Sequence, residues 1–285
     1  MHLSKLYFVE IVEDYSKLGE KMNYLKLSIL TSFIFLVGCS SDTEEAEETA
    51  VVFSEFMTCT PGVDFSPESA RMMIDEWNDI EFPEGFFSWG HQPLDDSTLG
   101  GEGKVYWQLF WESEEDADAA WAQGPSEEFA AWQSKYESVL TCDGENRRGY
   151  DSHWPRDVDA SGEWDDDTAQ WVTYGHYCKS NDDADFAKLD VGVEAFNAYL
   201  DESETGEDGP FTFGIYFHSG ENPEPYDQYD FFWMNYYESH EDAEAGYARF
   251  QANGSDVQEL FDAAASCEGP FGMDTYQFYP DPDDA

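Results

Sequence analysis

Runs of apolar and aromatic residues with strand-like character alternate along the chain with runs of helical periodicity, and the same succession occurs twice. Aromatic and β-branched runs predict strands at 51–59, 85–91 and 104–111, and again at 171–178, 211–218 and 229–237. A helical pattern separates the first two strands of each set. In the first set Ser66 supplies an N-cap and Pro67 the first helical position, and Met72, Met73, Ile74 and Trp77 follow. An Ala-rich helix follows the third strand. Ser113 with Asp116, and Ser239 with Asp242, have the spacing of a capping box at its start. Gly124-Pro125 and Asn253-Gly254 break it. Ser126 and Ser255 open a further helical segment, carrying Phe129 and Trp132 in one case and Val257, Leu260 and Phe261 in the other. A last strand is predicted at 150–154 and at 275–279. The order is βαββαβ, twice.

Residue identities support a duplication. WESEEDADAAW at 111–121 and YESHEDAEAGY at 237–247 agree at six of eleven positions, 126 residues apart. Cys59 and Trp77 find Cys178 and Phe196 at an offset of 119, and Cys142 finds Cys267 at 125. The reading is therefore of repeats at 51–155 and 170–280, an acidic linker at 156–169 and an acidic tail at 281–285. A sheet with helices on one face leaves its other face bare. That face, rich in Trp, Tyr and Phe, is a larger apolar patch than a monomer usually exposes, so the two copies are expected to cover each other.

The strand ending in Trp111-Glu112-Ser113, the Ala-rich helix and the downstream Ser126-x-x-Phe129-x-x-Trp132 resemble the dimeric α+β-barrel superfamily, which includes antibiotic-biosynthesis-monooxygenase-like and NIPSNAP-like domains. The resemblance implies an α+β fold of two ferredoxin-like βαββαβ repeats, their sheets packed face to face as an intrachain pseudo-dimeric barrel. It also implies one possible activity, the oxidation of an aromatic or apolar small molecule in the barrel without metal or flavin.

The N-terminus gives an address. In MNYLKLSILTSFIFLVGCSS, residues 22–41, Lys26 precedes an apolar run from Leu27 to Val37. That run is too short for a membrane-spanning helix, which needs about 20 residues. It ends in Leu36-Val37-Gly38-Cys39 and resembles the lipobox of bacterial lipoproteins. The resemblance implies a signal peptide at 22–38, lipid on Cys39, an acidic tether at 39–50 and, with Ser40 next, an outer-membrane lipoprotein facing the periplasm or the cell surface. Residues 1–21 then read as a mis-called extension ahead of Met22. Lys and Arg number 13 against 63 Asp and Glu, a net charge of −50, which repels nucleic acid and anionic headgroups and leaves the lipid as the membrane contact. Ten Trp, 17 Tyr and 22 Phe argue for a packed core despite that charge.

Beyond Cys39 four cysteines remain, two per copy, and four allow three connectivities. One ancestral pair, duplicated, selects Cys59–Cys142 and Cys178–Cys267, each expected to join the end of the first strand to the end of the long helix. In the linker, Asp157, Asp159, Ser161 and Asp165 fall at positions of a calcium loop, but position 12 is Thr168 and no flanking helices are evident; a solvated linker is the other reading. The chain holds no Gly-x-Ser-x-Gly, no His-Glu-x-x-His and no Gly-rich phosphate loop. His91, His153, His176 and His218 lie on or beside predicted strands. His153 faces Phe278 and His176 faces Met57 in the alignment of the copies, so both are unmatched. Catalytic candidates are His153, His176, Tyr150 and Gln108, with Tyr150, Gln108 and His153 placed in the barrel interior if strand parity allows. With no distinctive polar cluster, the expected function is a small-ligand-binding or structural module that needs no cofactor; the monooxygenase-like enzyme is the alternative, to be preferred if His153 or His176 points into a cavity.

Overall fold

The computed structural model describes residues 50–83, 85–94, 103–156, 160–162, 164, 169–181, 186–203, 209–221 and 223–281. The lipobox and Cys39 lie outside the described residues, as do Asp157, Asp159 and Asp165 of the calcium-loop reading. Among the described residues no helix is long and apolar enough to cross a membrane.

The first half runs β1 (Ala50–Pro61), α1 (Pro67–Asn78), β2 (Phe87–Pro93), β3 (Val105–Trp111), α2 (Glu114–Gln123), α3 (Glu127–Tyr136) and β4 (Leu140–Trp154). The second runs β5 (Gln170–Ser180), α4 (Ala187–Ser203), β6 (Phe211–Ser219), β7 (Phe231–Tyr237), α5 (His240–Asn253), α6 (Ser255–Ala264) and β8 (Ala265–Tyr279). All strand pairings are antiparallel, and the strands close into one barrel in the order β1-β3-β2-β8-β5-β7-β6-β4.

The predicted caps form. Ser66 Oγ accepts from the Ser69 amide at 3.1 Å, and Ser69 Oγ accepts from the Ser66 amide at 2.9 Å. Ser113 and Ser239 each accept from the amide three residues on, at 3.2 Å. Each cap satisfies an otherwise orphaned helix donor.

The expected closed barrel forms. The sheets join edge to edge, β2 to β8 and β4 to β6, which removes the open sheet edges as well as covering the aromatic face. One expectation is corrected. The last strands are much longer than the predicted 150–154 and 275–279: β8 begins at Ala265 directly after α6, and β4 begins at Leu140 after a short turn that follows Tyr136 of α3. Cys142 and Cys267 therefore sit on strands, opposite Cys59 and Cys178. The disulfides Cys59–Cys142 and Cys178–Cys267 form as expected, but as links between neighbouring strands.

Three cores result. Phe56, Tyr106, Tyr150, Tyr177, Tyr216, Phe232 and Met234 are among the side chains that fill the barrel. Outside it, α1–α3 cover one half of the wall around Trp77, Trp107 and Trp111. The helices α4–α6 cover the other half around Phe196, Phe213 and Trp233.

Candidate functional site between the barrel wall and helices α4 to α6

The barrel interior is a packed polar and aromatic core. Gln108 and Tyr150 point into it, as read from the sequence, with 0% and 2% exposure. A chain of hydrogen bonds crosses it. Gln108 Oε1 accepts from His91 Nε2 at 2.9 Å, so the neutral His91 ring receives the Thr275 hydroxyl at Nδ1, 3.0 Å away. Thr275 in turn meets Thr173 at 2.9 Å, and Ser54 meets Ser152 at 2.7 Å. Burial pushes the His91 pKa down to about 4. These groups satisfy one another, and the rings around them leave the network no open face for a substrate.

His153 is not in the barrel. Its neighbours Ser152 and Trp154 face inward, so strand parity turns His153 to the outer wall, half-buried against Phe217. Tyr150 and His153 stand three residues apart on β4 and face opposite sides, so with Tyr150 inside His153 is outside. In the calcium-loop reading, only Ser161 is described. It is buried, and its carbonyl accepts from the Phe211 amide at 2.8 Å.

His176 lies on the outer face of β5, and it lines a cavity of about 320 Å³ between the wall and α4, α5 and α6. Phe196, Tyr199, Trp233, Phe250 and Phe261 supply most of its aromatic lining. Its polar corner is built on β5, β7 and α5. Trp233 Nε1 donates to Asn235 Oδ1 at 2.8 Å and thereby fixes the amide. Asn235 Nδ2 donates to the Tyr247 hydroxyl at 2.9 Å, and that hydroxyl meets His176 Nε2 at 3.0 Å. A hydroxyl that accepts from Asn235 has its own proton for His176, which leaves the proton of the neutral imidazole on Nδ1. Burial lowers the His176 pKa to about 4 and raises that of Tyr247. At neutral pH the corner therefore presents an unprotonated imidazole nitrogen and a neutral phenol, the two halves of a proton-transfer pair.

The first half has no such corner at the corresponding place. The register that sets His176 opposite Trp233 sets Met57 opposite Trp107. At the offset of 126, Leu109 and Trp121 stand where Asn235 and Tyr247 stand. The space is also filled. Trp77 packs on Trp107 and Trp132 at ring distances of 4.8 and 5.0 Å. In the second half Phe196 lies 6.1 Å from Trp233 and 5.9 Å from Phe261. Two indoles replaced by two phenyl rings leave the cavity open. The first half instead buries Glu55, which accepts from Trp111 Nε1 at 3.0 Å and Trp121 Nε1 at 2.7 Å and pairs with Arg147, a fully engaged carboxylate. His176 was legible as an unmatched histidine; Asn235 and Tyr247 were missed, although the same comparison of halves marks them.

No protein-family model and no curated protein sequence matches the chain. Among solved structures it is similar to an anthrone oxidase-like protein, with 15% identity over 79% of this chain and 90% of that one and a TM-score of 0.47. It is similar to a mutant chlorite dismutase from Candidatus Nitrospira defluvii, with 14% identity over 83% and 94% and a TM-score of 0.44. It is also similar to a protein from Lactobacillus acidophilus NCFM described as a monooxygenase, with 12% identity over 81% and 95% and a TM-score of 0.45. The expectation of a module without catalysis is corrected here. His176 points into a cavity, the condition attached to the enzyme alternative, while the likeness to these structures, at 12–15% identity, shows the fold alone. The expectation of no cofactor is corrected to an open question: chlorite dismutases bind haem, and a likeness at 14% identity gives this chain neither a cofactor nor the lack of one. Haem itself does not fit the residues present. Its iron needs an axial ligand such as His, Cys or Tyr. Cys178 and Cys267 are joined in a disulfide, and His176 and Tyr247 stand at one end of a cavity of about 320 Å³, too small for a porphyrin with its propionates. The cavity volume lies at the lower end of the range for small-molecule sites, about 300–1,000 Å³. A ligand of a few rings suits it.

Proposed function

We propose that the chain is a monooxygenase-like enzyme acting on a small aromatic molecule held in the cavity between the barrel wall and α4–α6. The observation that carries this reading is the His176–Tyr247–Asn235 corner, a neutral base and an oriented hydroxyl at one end of an aromatic slot. His176 Nε2 takes the proton from an acidic C–H or O–H of the substrate. The Tyr247 hydroxyl, held by Asn235, turns from His176 to the substrate oxygen, where negative charge collects. Phe196, Phe261 and Trp233 hold the ring system and exclude water. Dioxygen is the co-substrate: a ring-flanked CH₂ becomes C=O, with one oxygen atom retained and the other leaving as water.

The finer architecture and the address belong to the same proposal. The mirrored element order and register support two ferredoxin-like repeats, 51–155 and 170–280, forming an intrachain pseudo-dimer. The Leu36-Val37-Gly38-Cys39 sequence supports a lipid anchor at Cys39 and an outer-membrane lipoprotein.

Anthrone is the probe, and its dioxygen uptake above the buffer rate is the measurement. His176→Ala is expected to lower kcat/KM about 10²- to 10⁴-fold, the usual share of a general base. Tyr247→Phe is expected to lower kcat more than it raises KM. Uptake equal in wild type and His176→Ala would sink the reading.

A further inference from the structure

A second histidine–tyrosine pair lies next to this corner, on the solvent side. Tyr174 is on β5, two residues before His176. Its hydroxyl meets His240 Nδ1 at 2.9 Å, and His240 Nε2 meets Asp274 Oδ1 at 2.9 Å. A carboxylate only accepts, so His240 carries its proton on Nε2 and, when neutral, takes the hydrogen bond of Tyr174 at Nδ1. The His240 side chain is 43% exposed. The Tyr174 ring lies 5.7 Å from the Tyr247 ring, which lies 6.2 Å from the His176 ring. The row Tyr247, Tyr174, His240 therefore runs from the cavity to the surface.

We propose that Tyr174, His240 and Asp274 form a redox-active tyrosine site that gives one electron to a cationic electron acceptor at the protein surface. The hydroxyls of Tyr247 and Tyr174 are not bonded to each other, so the row does not carry protons along its length. Ring-to-ring spacing suits electrons instead, with each proton moving only within its own pair. When the acceptor takes one electron from Tyr174, the phenolic proton passes to His240 Nδ1. The products are a neutral tyrosyl radical, an imidazolium ring and an acceptor reduced by one electron. Asp274 stabilises the positive ring. Burial and the nearby Asp274 and Glu244 raise the Tyr174 pKa, so the phenol enters this step protonated. Tyr247 can refill Tyr174 with an electron, but its proton would go to His176, which is buried and, unlike His240 with Asp274, has no carboxylate bonded to it among the described residues to stabilise an imidazolium. The oxidised site therefore rests on Tyr174. The acceptor is cationic because a chain of net charge −50 concentrates cations at its surface.

The test needs neither substrate nor turnover, so its failure is separable from failure of the cavity reaction. Tris(bipyridine)ruthenium(III), generated by a laser flash with hexaammineruthenium(III) as quencher, is the oxidant, and the tyrosyl radical is read by transient absorption and freeze-quench EPR. Wild type and Tyr247→Phe should both give the radical, and Tyr174→Phe should lose it. His240→Gln removes the proton acceptor at a partly exposed position and should cut the radical yield and the solvent isotope effect, which keeps the test alive if Tyr174→Phe folds poorly. No radical in wild type, an undiminished radical in Tyr174→Phe, or an unchanged yield in His240→Gln would each overturn the proposal.

Discussion

Acidification from pH 7 to pH 4 is expected to remove about 3 kcal/mol of folding stability through each of two histidines, His91 and His176. Burial is the main cause in both, and both pKa values fall to about 4 in the folded protein. In the unfolded chain a histidine titrates near 6.5. Below pH 6.5 the unfolded chain therefore binds protons that the folded chain refuses, and stability falls as pH falls until the folded-state value near 4 is reached. A difference of about 2.5 units at 1.36 kcal/mol each gives the stated size. The acidic surface works the other way, since protonating carboxylates relieves repulsion in a chain of net charge −50, mostly below about pH 4.5. Comparing variants isolates the histidine part. Urea unfolding across this range should show a shallower pH slope for His91→Gln and for His176→Asn than for wild type. Parallel curves would mean that the two rings are not held neutral by the fold.

The strands were legible where aromatic residues crowd, as in β3, VYWQLFW, buried at all seven positions because the barrel core lies on one side and the helices on the other. The start of β4, Leu140 to Arg148, carries no such signal. It is polar, with exposed and half-buried positions interspersed, and its strand conformation comes from pairing with β1, where Thr141 lies opposite Thr60. That is why Cys142 was placed at a helix end. The disulfide pairing survived the error because it rested on the duplication and not on the elements. Parity decides His153: Tyr150, three residues earlier on the same strand, lies in the barrel interior with Gln108, so His153 belongs to the outer wall. The cavity was not legible as such. It arises where Phe196 and Phe261, on helices far apart in sequence, meet across Trp233, and neither substitution means anything until the two are seen to touch.

Writing the tryptophans of the first half into the second, as Phe196→Trp with Phe261→Trp, is expected to abolish ligand binding in the cavity while leaving the fold intact. In the first half Trp77, Trp107 and Trp132 meet within 6.0 Å of one another and leave no such corner, and Trp132 Nε1 donates to the Met73 carbonyl at 2.8 Å. The same triangle in the second half is Phe196, Trp233 and Phe261, with Gly192 packed on the Phe261 ring at the place of Met73. Inserting bulk into a closed core costs about 1–3 kcal/mol. Here the added ring volume enters a cavity of about 320 Å³, so the clash is largely avoided. The remaining cost is two indole N–H groups, about 1–3 kcal/mol for each that finds no carbonyl; in the first half, among the described residues, Trp132 Nε1 is bonded and Trp77 Nε1 is not. Thermal unfolding should stay cooperative, with both disulfides formed. Calorimetric titration with anthrone should lose its heat, and dioxygen uptake should fall to the buffer rate even though His176, Asn235 and Tyr247 are untouched. Retained binding in the double variant, with wild-type turnover, would place the substrate elsewhere on the molecule and reduce the His176 corner to packing.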